Sequence, residues 1–184
     1  DSYISRLISR GYRVAICEQV EDPALAKGLV KREVTRIITP GTVTEDFLLD
    51  ENRNNYLTAV VKDEYGIGLA YSDISTGEFK LTELYGEKAS SLLESEMQRL
   101  RPAECLIPEW SEVPELWNGD KQRWGALISG QKLPRFDVQE ARRILTDHFK
   151  VASLEGFGIR EYSLGIRAAA LIIYFLQDTQ KGSL

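Results

Sequence analysis

Between Tyr56 and Leu84 three short strand-like segments follow one another so closely that only one pairing is open to them. Tyr56–Lys62 is the first, and Asp63-Glu64-Tyr65-Gly66 turns the chain. Ile67–Ile74 is the second, Ser75-Thr76-Gly77 turns it again, and Glu78–Leu84 is the third. Parallel strands need a crossover of a dozen or more residues, whereas turns this short join antiparallel neighbours. The spacing therefore predicts an antiparallel meander. Its middle strand carries Ile67, Leu69 and Tyr71 on one face and Ala70 and Ile74 on the other. Its third alternates Phe79 and Leu81 with Glu78, Lys80 and Thr82, a half-buried pattern.

Downstream, Glu87–Arg101 reads as a helix with Ala89, Leu92, Leu93, Met97 and Leu100 on one face, limited by Pro102. Ala103–Ile107 is a short apolar strand ended by Pro108. Residues 110–119 are irregular or a short helix, and a further strand is predicted around Trp124–Ser129. Asp137 as N-cap and Glu140 three residues on form a capping box. They open a helix over 137–149 whose stripe is Val138, Ala141, Ile144, Leu145 and Phe149. A short turn at 153–158 leads to a last helix, Tyr162–Gln180, apolar on nearly all sides and therefore buried.

Upstream of the meander, a helical pattern over 2–10 stops at Gly11. Strands follow at Tyr12–Val20 and about Glu33–Thr39, and Pro40-Gly41 ends the second. From Thr42 to Asn55 the chain is acidic and Asn-rich, with an apolar patch at Phe47, Leu48 and Leu49; it reads as a linker carrying one helical turn. Because the chain opens inside a helical pattern at Asp1, it is expected to be a piece of a longer protein. The order is α-β-β, then β-β-β-α-β-(β)-α-α. A meander followed by a crossover helix to further strands is the order of a ribonuclease-H-like α/β fold.

Charge divides the chain at the same place. Residues 1–40 hold seven Lys/Arg and five Asp/Glu, net +2, while the remainder holds 16 basic and 23 acidic residues, net −7. Neutralising phosphates supplies most nonspecific affinity for nucleic acid, so any DNA contact is expected in the first forty residues. The candidates are Lys27, Lys31, Arg32 and Arg36. Strand alternation sends Arg32 and Arg36 to one face, and pairing with Glu33 or Glu18 competes with a phosphate contact. No membrane span is expected, since the longest apolar run, Ala168–Leu176, is nine residues against about 20 needed. Cys17 and Cys105 fall in strands and read as small core residues in a reducing compartment.

Catalysis finds little support. A nuclease on this fold gathers carboxylates around divalent metal ions, and one belongs near the middle of the first strand, where Thr58, Ala59 and Val60 stand. Asp73, on the middle strand of the meander, reads as turn chemistry with Ser75. With a single histidine, His148, a Cys/His zinc site is excluded and no acid–base pair can be assembled. There is no phosphate-binding loop of the Gly-x-x-x-x-Gly-Lys-Ser/Thr kind, the terminal Lys181-Gly182-Ser183 lacking its upstream glycine. Gly156-Phe157-Gly158 lacks the third glycine of a dinucleotide fingerprint.

Two stretches carry a resemblance. Gly11-Tyr12-Arg13-Val14-Ala15-Ile16-Cys17-Glu18-Gln19, continuing through Glu21-Asp22-Pro23, Lys27-Gly28 and Arg32 to Thr42, resembles the end of the mismatch-binding domain of the bacterial MutS family. Ser72-Asp73-Ile74-Ser75-Thr76-Gly77-Glu78-Phe79 resembles the hairpin of that family's connector domain. The resemblance implies a mismatch-binding remnant at 1–42, a linker at 43–55 and a non-catalytic, ribonuclease-H-like connector at 56–184. It implies a parent that binds mismatched duplex DNA as a homodimer, uses ATP and Mg²⁺ outside this stretch to become a sliding clamp, recruits MutL, and works in the cytoplasm, at the nucleoid when on DNA. No cofactor is expected within the chain itself. A metal-dependent nuclease on the same fold is the alternative. The candidate surface for MutL is the outer face of the helix 137–149: Gln139, Arg142, Arg143 and Thr146, which lie between the stripe positions.

Overall fold

The computed structural model describes residues 2–22, 28–44, 48–49, 53–111, 122–129, 132–159 and 161–180. At the N-terminus, α1 (Ser2–Ile8) stops before Gly11, whose φ of 77° suits the left-handed end of a helix. β1 (Val14–Gln19) and β2 (Arg32–Ile38) pair antiparallel in a two-stranded sheet. Two strands cannot bury much alone. Their inner residues Val14, Ile16 and Ile38 form a small cluster with Ile4, Ile8, Val43, Leu48 and Leu49. Val43, Leu48 and Leu49 of the 43–55 stretch are therefore packed against this sheet. Phe47 lies outside the described residues.

The second sheet has six strands in the order β5-β4-β3-β6-β8-β7. β3 (Leu57–Lys62), β4 (Gly66–Asp73) and β5 (Glu78–Tyr85) make the meander, each pair antiparallel. After α2 (Ala89–Leu100) the chain crosses back, so that β6 (Glu104–Leu106) lies parallel to β3. β8 (Ala126–Ser129) lies parallel to β6 and carries β7 (Gln122–Arg123) as an antiparallel edge.

Period-two alternation sends the sheet's side chains to two cores. Val60, Ile67, Leu69, Tyr71, Cys105 and Ile128 pack with Leu93 and Met97 of α2. Leu57, Ala59, Val61, Ala70 and Leu106 pack on the other face against α3 (Val138–Phe149) and α4 (Leu164–Thr179). Eleven residues of α4 are buried, as a helix apolar all round requires.

The ends follow local chemistry. Arg101, just before Pro102, takes a left-handed φ of 45° and closes α2 through its N–H on the Met97 carbonyl. The Asp137 carboxylate accepts from the Glu140 N–H at 2.8 Å and starts α3. Among the described residues, no helix is long and apolar enough to cross a membrane.

Three expectations need correction. Cys17 is exposed on β1; Cys105 alone is a core cysteine, and burial pushes its thiol up to about 12. Leu92 and Phe149 belong to helical stripes yet are 47% and 40% exposed. They line an open groove of about 580 Å³ beside the edge strand β5, together with Phe79, Leu81 and Phe157. The third concerns β2. Its register slips by one between Ile16 and Cys17, so Arg36 opposes Ile16 while Arg32 opposes Gln19. Cross-strand partners share a face, and Gln19 and Ile16 face opposite ways. The bulge thus turns Arg36 away from Arg32.

Candidate functional site

The chain's most constrained polar chemistry lies where the small N-terminal sheet meets the large one. Glu104 opens β6 and is fully buried. A carboxylate in that position is costly unless its oxygens are satisfied, and here they are. Oε2 accepts from the Thr39 hydroxyl and from the Gly41 N–H at 3.1 Å. Oε1 accepts from the Ser129 hydroxyl at 2.6 Å and faces the Arg13 guanidinium at 3.5 Å. Thr39, Gly41 and Arg13 come from the N-terminal part, Ser129 from β8.

Local structure aims these donors. Pro40–Thr42 is a single 3-10 turn, and the Thr42 hydroxyl accepts from the Thr39 N–H at 2.9 Å. That turn presents the Gly41 N–H to the acid. It also fits closely, since a Cβ on Gly41 would lie 2.8 Å from the Glu104 Cβ and 2.9 Å from a Leu57 methyl. Arg13 reaches past the acid to stack on Phe175 of α4, 5.5 Å from the ring centre.

A second buried carboxylate stands at the same end of the sheet. Leu57 of β3 opposes Ser72 on one side and Glu104 on the other, which places Asp73, next to Ser72, near that end. Asp73 Oδ1 takes the Ser75 N–H at 2.9 Å and the Ser75 hydroxyl at 2.6 Å. Oδ2 takes the Asn54 amide and the Asn55 N–H, at 3.0 and 3.1 Å. The Asn55 side chain donates in turn to the Pro40 carbonyl at 2.9 Å. So the turn chemistry expected of Asp73 is present, and the same side chain also fastens the segment joining the two sheets.

Burial opposes ionisation of Asp73, but the hydrogen bonds from Ser75, Asn55 and Asn54 outweigh it, and its carboxyl sits below the ordinary range. A carboxylate whose pKa falls on folding stabilises the native state above its unfolded value of about 3.9, and that stability is withdrawn as pH falls through and below it. Asp73→Asn is therefore expected to lower the urea midpoint at neutral pH and to flatten its decline below roughly pH 4. Urea titrations at a series of pH values check this; an unchanged acid limb would count against it.

Neither acid has an oxygen to spare for a metal ion, and no cluster of three or more His, Cys, Asp or Glu able to hold one occurs among the described residues. His148 is exposed and packs edge-on against Phe149.

The residues singled out in the sequence are scattered rather than gathered. Lys27 lies outside the described residues. Lys31 is held by Glu33 at 2.5 Å, Arg32 is exposed, and the half-buried Arg36 donates to the Thr44 hydroxyl at 3.1 Å. On α3, Gln139 and Arg143 face solvent as expected. Thr146 is half-buried, and its hydroxyl donates to the Arg143 carbonyl at the helix surface; Arg142 alone folds away, being half-buried and donating to the Tyr162 carbonyl at 3.2 Å. Glu104 and Arg13, which build the joint, were not singled out. The available signal was an acid inside an apolar strand, which has to find partners when buried.

Comparison with known proteins sets these modules in context. Residues 1–47 match MutS domain I and residues 55–184 match MutS domain II. The DNA mismatch repair protein MutS of Syntrophomonas wolfei is 52% identical over the whole chain, and that of Pelotomaculum thermopropionicum is 47% identical over 98% of it. That of Halothermothrix orenii is 43% identical over the whole chain. The chain spans 22%, 21% and 20% of the length of these relatives, about a fifth of each.

Proposed function

This chain belongs to the MutS family of DNA mismatch repair proteins, and from that premise we propose that it is the non-catalytic connector segment of a mismatch-recognition protein. In this reading residues 1–42 end the mismatch-binding domain, 43–55 join the two, and 56–184 form a ribonuclease-H-like connector. The strand order, a three-stranded meander continued by two parallel strands, supports that fold. The observation that carries the reading is the joint at Glu104. It bonds a turn of the DNA-side module directly into the connector's sheet, so a displacement of one is felt by the other. The two buried carboxylates described above, Glu104 and Asp73, have their oxygens taken up by donors of the chain itself.

In the whole protein, ATP and Mg²⁺ would act outside this stretch, mismatched duplex DNA would be bound by a homodimer, and MutL would dock on the connector. Arg32 is the best placed of the basic candidates for a phosphate, being exposed and without an ion pair among the described residues. For MutL the proposed surface narrows to the solvent-facing Gln139 and Arg143. In the full-length protein, Gln139→Glu combined with Arg143→Glu is expected to weaken MutL capture at least tenfold while mismatch binding and ATP hydrolysis persist. Undiminished capture in a pull-down removes this surface from consideration.

A further inference from the structure

Where α3 begins, two guanidinium groups share one aromatic platform. Trp110 is anchored by its indole N–H to the Leu133 carbonyl at 3.0 Å. Arg135 and Arg167 both stack on its ring, 5.6 and 5.3 Å from the centre. Arg167 spends its Nε–H on the Phe136 carbonyl at 3.0 Å, and no described residue accepts from its terminal nitrogens. Arg135 has no hydrogen bond or ion pair to a described residue. Both line a cavity of about 380 Å³, with Phe136, Asp137 and Val138 completing its wall.

Bringing two like charges onto one ring is unfavourable, and burial together with the charge of Arg135 lowers the Arg167 pKa. Asp63 and Asp137 oppose that shift, but each has an oxygen committed to backbone N–H groups of its own turn, Asp63 to Tyr65 and Gly66 and Asp137 to the α3 cap. An anion in the cavity would relieve the repulsion.

We propose that this cavity binds a phosphate ester, gripped by the free N–H groups of Arg135 and Arg167 on the Trp110 platform. Its number of oxygens selects the class. A carboxylate is satisfied by one planar fork, whereas a tetrahedral phosphate offers oxygens to two. The cavity is within the ordinary size range of small-ligand sites, roughly 300–1,000 Å³, and has room for more than the phosphate group. The inference stands apart from the mismatch-repair reading, because it uses residues of the joint nowhere.

The test is a calorimetric titration of the 184-residue chain at fixed ionic strength with inorganic phosphate, ATP, a short DNA duplex and, as competitor class, a poly-glutamate peptide. Saturable one-to-one binding of phosphate and ATP, weakened at least tenfold by Arg135→Gln, is the expected result. Arg135 is exposed, so this variant keeps the fold, and an unchanged melting temperature verifies it. Arg167→Lys, which keeps the charge but loses the fork, is expected to weaken phosphate as well. Binding of the duplex in preference to ATP would assign the phosphate to a nucleic-acid backbone; the reverse order would assign it to a nucleotide. No saturable binding of any phosphate, binding unaffected by Arg135→Gln, or tighter binding of poly-glutamate overturns the proposal.

Discussion

Gly68→Ala is expected to destabilise the chain by about 3 kcal/mol or more, the upper end of the cost of overpacking a filled core. Gly68 lies on β4, under the first turn of α4. A Cβ added there would stand 2.1 Å from the Leu164 carbonyl carbon, 2.3 Å from its oxygen and 2.5 Å from the Gly165 nitrogen. These are backbone atoms, so no side-chain rotation can make room. The start of α4 would have to lift, and with it a helix that fills one face of the sheet. Gly165 meets the sheet from the other direction: a Cβ there would lie 3.0 Å from a Leu81 methyl and 3.1 Å from the Thr82 carbonyl. The Glu83 carboxylate holds the same turn by accepting from the Ser163 and Gly165 N–H groups at 2.6 and 2.7 Å. A loss of this size lowers the melting temperature of a chain this long by roughly 10 °C. Gly156→Ala, with nothing within 4 Å of the added Cβ, serves as the control and should stay within about 0.5 kcal/mol of the parent. Thermal or urea unfolding decides, and a Gly68→Ala chain as stable as the parent would show that helix and strand do not pack as described.

The second large effect is expected at Glu104. Truncation to alanine leaves the Thr39 hydroxyl, the Gly41 N–H and the Ser129 hydroxyl without their acceptor and strips Arg13 of its acid. Orphaned buried donors cost about 1–3 kcal/mol each. Hydroxyls can re-aim, so a total of about 3–5 kcal/mol is expected, in line with breaking a buried charged network. Glu104→Gln should cost less. Its amide oxygen can serve Thr39 and Gly41, while its NH₂ can donate to Ser129, whose hydroxyl accepts as readily as it gives. Only Arg13 then loses its partner. Hydrogen exchange separates this from a general loss of stability: the Gly41 and Thr42 amides should exchange faster in Glu104→Ala than the core amides of β3 and β4. Uniform acceleration across the chain would place Glu104 in the core of the six-stranded sheet and not at a joint.

How much of this could be read in the residues differs from element to element. The meander, its two faces, the α2, α3 and α4 helices and the Asp137 cap follow from local patterns, and local patterns are what a sequence displays. The β7–β8 hairpin was visible only as one strand. Its turn is Trp124-Gly125, with φ of 55° and 77°, the two positive values that a tight hairpin demands. The usual Asn-Gly would have announced it; a tryptophan in the first position did not. The bulge that turns Arg36 inward leaves no mark in the strand's composition. Arg142 sits where helical spacing points outward, but its long side chain bonds Tyr162, 20 residues further along the sequence. Glu104 was hidden most completely, because its partners lie 65, 63 and 25 residues away and a short apolar strand gives no sign of what it faces.

The composition of the Glu104 joint has a consequence for how the two modules respond to solution conditions. Of its four donors three are neutral, and they act at hydrogen-bond distance in a place that water does not reach. Dissolved ions screen exposed charges over about 8 Å at physiological concentration, but they screen a buried contact far less. Attraction between the basic N-terminal stretch and a polyanion fades as salt rises, whereas the angle at which that stretch is held should scarcely change. Were such a partner bound, grip and posture would be governed by separate variables, and salt could loosen the one without changing the other.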